Sequence, residues 1–180
     1  DTLYGGAARA VGGALAACRG TLRELKLFGQ RVPEGEIGDL LGAIADQSAL
    51  ETLDLTETTV GERGGEALVE ALRSDLGQLR KVRLGDCGLT PAHCRDVIVA
   101  LGRVGTLETL DMSFNEMDSA CVSALCTAVR GWPSLLRLVV EGCELEDSEE
   151  DLQLLKAALA QADKQDALVD EDDDDDSEEE

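Results

Sequence analysis

One spacing recurs along this chain and limits what it can fold into. The pattern L-x-x-L-x-L, with Val or Met accepted at some apolar positions, appears five times: LRELKLFGQRV from Leu22, LETLDLTETTV from Leu50, LRKVRLGDCGL from Leu79, LETLDMSFNEM from Leu107 and LLRLVVEGCEL from Leu135. The starts are separated by 28, 29, 28 and 28 residues. A constant period of this size marks a stack of similar units, each touching only its neighbours.

Each unit has two halves. In the first, apolar side chains such as Leu53 and Leu55 alternate with polar ones, the period of a strand with one buried face. The second has helical spacing. In GGEALVEALRSDL, Ala67, Leu68, Val69, Ala71 and Leu72 form an apolar stripe against Glu66, Glu70 and Arg73. CRDVIVALGRV and ACVSALCTAVRGW repeat that arrangement. One such unit cannot bury enough apolar surface to order itself, so the units must stack and share their buried faces. The expected fold is an α/β leucine-rich-repeat solenoid, with parallel strands on the inner face and helices on the outer face.

The ends read differently. DTLYGGAARAVGGALAACRG matches the helical half of a unit without its strand, which suggests a start inside a repeat and a natural protein extending further N-terminally. EDSEEDLQLLKAALAQADKQ reads as a capping helix with acids in its first turn, where the helix dipole favours them. Leu152, Leu154, Leu155, Ala158 and Leu159 are its packing candidates. The expected division is a repeat domain over 1–160 and an acidic, self-repelling, disordered tail over 161–180.

Charge narrows the partners. The net charge is −22, and the last residues, DEDDDDDSEEE, contain no base. Nucleic acid is excluded as a partner because phosphates need clustered Lys and Arg. Basic protein surfaces are the expected partners of the tail. Ser177, followed by three glutamates, is a candidate phosphorylation site for an acid-directed kinase. No apolar run reaches the 18 or so residues of a spanning helix, so no membrane partner is expected and the chain reads as soluble and intracellular. Cys18, Cys87, Cys94, Cys121, Cys126 and Cys143 form no C-x-x-C pair, and His93 is the only histidine. These thiols read as reduced, buried, apolar fillers, and neither a metal nor another cofactor is expected. Asn115 is expected to satisfy backbone groups in the turn after its strand, with Cys87 and Cys143 in the equivalent place. His93 lacks an acid or nucleophile partner for catalysis, and no P-loop sequence is present. The chain is expected not to be an enzyme, and at most to regulate one.

Equivalent outward residues of successive strands should stand side by side, about 4.8 Å apart. One such series runs Lys26, Asp54, Arg83, Asp111, Val139, and another runs Arg23, Glu51, Arg80, Glu108, Leu136. Both alternate in sign over their first four members, which predicts charge ladders that neutralise the inner face. Lys26, Asp54, Arg83, Asp111 and Arg137 are the candidate protein-binding residues of that face.

The period, the units LETLDLTETTVGERGGEALVEALRSDLGQL and LRKVRLGDCGLTPAHCRDVIVALGRVGTL, and the Cys/Asn alternation resemble ribonuclease-inhibitor-like leucine-rich repeats over roughly residues 1–160. That class includes ribonuclease inhibitors, repeat regions of innate-immune receptors, ciliary scaffolds and Ran GTPase-activating proteins. The order of a last strand, VVEGCEL, a charged helix and a polyacidic run is most similar to the end of a Ran GTPase-activating protein. That resemblance implies stimulation of GTP hydrolysis by a Ran-like small GTPase in nuclear transport. It also implies a cytoplasmic protein, or one held at the nuclear envelope. Such an activator positions the GTPase's own machinery and supplies no arginine finger. Its contacts lie on loops of earlier repeats, so no such role passes to Asn115. The alternative is a non-catalytic scaffold or an innate-immune-type recognition module.

Overall fold

A computed structural model of the chain describes residues 7–18, 20–143 and 148–169. Five three-residue strands, β1 (Glu24–Lys26), β2 (Thr52–Asp54), β3 (Lys81–Arg83), β4 (Thr109–Asp111) and β5 (Arg137–Val139), form one parallel sheet in sequence order. Six helices alternate with them: α1 (Ala7–Ala17), α2 (Glu34–Gly42), α3 (Gly61–Leu72), α4 (Pro91–Leu101), α5 (Ser119–Ala128) and α6 (Glu149–Gln161). Each helix packs on its neighbours in the series. This is the expected solenoid, with parallel strands in one layer and helices in the other.

The core lies between the two layers and is built from the leucines that define the period. Leu50, Leu79, Leu107 and Leu110 are fully buried. In α3, Leu68, Val69, Ala71 and Leu72 are buried, while Glu66, Glu70 and the C-cap Arg73 face outward, as the stripe predicts. Helix starts are fixed by side chains the sequence places there. Thr90 accepts from the His93 amide, with Pro91 as the first residue of α4. Asp118 accepts from the Ala120 and Cys121 amides, each at 3.0 Å. These bonds, above all the one from Cys121, hold the Asp118 carboxyl below its usual range. Ser148 caps α6, whose first turn holds Glu149, Glu150 and Asp151.

The capping helix differs from expectation at two positions, since Leu152 is only half-buried and outside the core cluster. Leu155, Ala158 and Leu159 are buried, but Leu154 is exposed. It lies about 100° around the helix from Leu155, off the stripe that meets α5. The repeat domain also runs past the boundary at 160. Ala167 is buried, Leu168 forms a parallel bridge to Leu138, and the Val169 amide donates to Leu138 O at 3.1 Å. Residues 161–169 therefore belong to the packed structure. Residues 170–180, with Ser177, lie outside the described residues.

Candidate protein-binding face

The turn after each strand is built on one register. Gly29, Glu57, Asp86, Phe114 and Gly142 all adopt positive φ there, between 50° and 64°. The next residue in four units points inward and donates to the strand end of the preceding unit. Cys87 Sγ reaches Leu55 O at 3.0 Å, Asn115 Nδ2 reaches Leu84 O at 2.7 Å, and Cys143 Sγ reaches Met112 O at 3.1 Å. Thr58 Oγ1 donates to Leu27 O in the same way. Asn115 also accepts from the Leu89 amide at 2.9 Å. The expected role of Asn115, Cys87 and Cys143 is therefore borne out, and Thr58 joins them.

Desolvation by burial pushes the Cys87 thiol up to about 12 and the Cys121 thiol to about 11, and also raises Cys94. Two cysteines depart from the buried reading: Cys18 is exposed and Cys126 half-buried. Among the described residues, no group of His, Cys, Asp or Glu is arranged to hold a metal ion. No helix there is long and apolar enough to cross a membrane. His93 sits at the start of α4, its Nδ1 3.1 Å from Thr90 Oγ1. Its ring fills the space a Cβ on Gly65 would need, so it packs α4 against α3.

The outward residues behave differently from the turn. The register places Lys26, Asp54, Arg83, Asp111 and Val139 side by side, as the sequence implied. Arg137 stands in the adjoining row, after Glu24, Thr52, Lys81 and Thr109. The expected continuous ladders resolve into separate pairs. Arg23 meets Glu51, Arg80 meets Glu108, and Arg83 lies 3.6 Å from Asp54. Lys26 turns to Glu24 of its own strand at 3.2 Å. Both aspartates also serve the turns, and only Asp54 keeps a cation beside it. Asp54 Oδ1 accepts from the Thr56 amide and hydroxyl, and Asp111 Oδ1 accepts from those of Ser113 at 2.9 and 2.6 Å.

Lys81 and Arg137 have no ion partner among the described residues. Thr109 stands between them, and its hydroxyl has no partner there either. An open recess of about 340 Å³ covers this part of the sheet, reaching from Phe28 to Glu141 and including Lys81, Thr109 and Arg137. Its chemistry is that of a docking surface: two free cations and a free hydroxyl among charges already paired. Sequence reasoning followed the row through Lys26 and missed most of the row two residues earlier. The signal was available, because residues i and i+2 of a strand share a face. Phe114 was missed too. It is 56% exposed, holds a φ of 53° that bulky residues rarely adopt, and lays its ring over Gly142.

Comparison with known proteins agrees with this geometry. The family described as Leucine Rich repeat matches at residues 48–69 and 106–126. The chain is similar to "NACHT, LRR and PYD domains-containing protein 5" of Bos taurus, 32% identical over 130 residues, covering 72% of this chain and 12% of the relative. It is also similar to ribonuclease inhibitor of Sus scrofa, 29% identical over 64% of this chain and 25% of the relative. Ribonuclease inhibitor of Mus musculus is 28% identical over 73% and 26%. The chain thus spans between about an eighth and a quarter of the length of these curated relatives.

Proposed function

For a chain that is a leucine-rich-repeat solenoid of the ribonuclease-inhibitor-like kind, we propose the function of a non-catalytic recognition scaffold that binds a protein partner on its strand face. The observation that carries this reading is the row Lys81–Thr109–Arg137, open and without internal partners beside rows that are paired. A buried cation–carboxylate contact made there on binding adds both affinity and register. The relatives' names point the same way, since a ribonuclease inhibitor is named for the protein it restrains.

The test compares partner capture by the full chain, by Lys81→Glu/Arg137→Glu, and by Arg103→Glu in the exposed turn after α4. The reading expects one set of proteins to be retained by wild type and Arg103→Glu, and to fall about tenfold or more on the double variant. Equal capture by all three would sink it.

The activation of a Ran-like GTPase is a finer reading, supported by the order of last repeat, charged helix and acidic run. Single-turnover hydrolysis of Ran-bound GTP decides it. Acceleration by the chain or by a longer protein that contains it supports the activator, and no acceleration by either leaves the scaffold.

A further inference from the structure

The free row on the strand face has a candidate occupant within the same chain. Lys164 Nζ donates to Pro133 O at 2.8 Å and Leu135 O at 3.1 Å, which ties the segment after α6 to the start of the β5 unit. Leu168 then bridges Leu138, so this segment runs beside β5 as a short continuation of the sheet. The described segment ends at Val169, whose amide donates to Leu138 O of the strand that carries Arg137. Residues 170–180 are DEDDDDDSEEE, with an acid at every position but Ser177. Eleven residues can extend up to about 36 Å. The step from Arg137 across β4 to Lys81 is only about 10 Å.

Charge selects the direction. The turn edge of the solenoid carries Glu57, Asp86, Glu116 and Glu141, which repel such a run. The recess on the strand face sets Lys81, Arg83 and Arg137 against Asp54, Asp111 and Glu141. Asp54 meets Arg83 and Asp111 accepts from Ser113, which leaves Lys81 and Arg137 as the cations without ion partners among the described residues. Carboxylates laid along that row would meet Lys81, the Thr109 hydroxyl and Arg137 in turn.

We propose that residues 170–180 dock on the strand face of their own chain, with their carboxylates on Lys81, Thr109 and Arg137. This goes beyond the scaffold reading and stands independently of any partner's identity. It makes the acidic run a built-in competitor for acidic partners: access to the face requires displacing it, and rising salt weakens it.

Zero-length carbodiimide crosslinking of the full chain, read by mass spectrometry, tests the proposal. Lys26, Lys81, Lys156 and Lys164 are the chain's four lysines, and Lys156 is exposed on α6 as an internal control. The expected result is an amide between Lys81 and residues 170–180 within the monomer, about fivefold above the Lys156 link at low salt and largely lost at 1 M salt. Arg137→Gln, with its fold verified by circular dichroism, should lower the Lys81 link by about threefold. Links that favour Lys156, that join only two copies, or that are indifferent to salt and to Arg137→Gln would overturn it.

Discussion

The inward slot of the turn and the outward rows of the strands sit on the same repeat, a few residues apart, yet they follow different rules. At the slot, Thr58, Cys87, Asn115 and Cys143 differ in size and chemistry but make one common bond to the preceding strand end. A buried carbonyl must be satisfied, and any small donor serves. On the outward rows Asp54 and Asp111 answer the amides of Thr56 and Ser113, and Lys81 and Arg137 answer none. Their residues pair in one place, serve the turn in another, and remain free at Lys81 and Arg137. The slot holds the stack together, and the freedom of the rows is what a partner can read.

That division predicts a graded set of effects. Asn115→Ala should cost the most, about 3 kcal/mol in urea unfolding, because Leu84 O and the Leu89 amide lose a buried partner together. Cys87→Ala should cost about 1.5 kcal/mol, since a weaker donor and a small volume are removed. Cys87→Thr should recover part of that loss, because Thr58 fills the same slot one unit earlier.

Alkaline titration sharpens the comparison. The Cys87 and Cys121 thiols are raised from 9.0 to about 12 and about 11, so the folded state holds their protons more tightly than the unfolded chain. Their contribution is fully present below about pH 9 and is lost as pH rises through the folded values. The urea midpoint should fall over that window, and Cys87→Thr should flatten the fall.

Phe114→Gly should raise stability by about 0.5 kcal/mol, the relief of left-handed strain less the greater freedom of an unfolded glycine. A thermal melt reads this directly. The smallest effect belongs to the outward pairs: Arg80→Ala should change stability by no more than about 0.5 kcal/mol, because the Arg80–Glu108 pair is half open to water.

The fold was legible because leucine spacing and strand register are the same information. Five apolar triplets at near-constant intervals fixed the sheet order, and the α3 stripe fixed which helix face turns inward. The face was only partly legible. Sign alternation located the pairs Arg23–Glu51 and Arg80–Glu108. It could not show that Asp111 is drawn to Ser113, since that bond depends on how the turn bends the chain. Phe114 was hidden for a similar reason, because its positive φ is set by the register and glycine marks it only at Gly29 and Gly142. The packing of residues 161–169 escaped a reading that saw only polar, acidic composition after the helix. Of the four apolar residues there, Ala162 and Ala167 pack on the core, while Leu168 and Val169 meet Leu138 of β5.

The central claim is that the fold does not need the free row on the strand face. Urea unfolding of Lys81→Glu/Arg137→Glu tests this most directly. The account predicts a folding free energy within about 0.5 kcal/mol of wild type, as for surface charges whose only contacts are screened by water. A loss of about 2 kcal/mol or more, on the scale of removing the Asn115 donor, would make the row part of the scaffold and contradict its assignment as the surface kept for recognition.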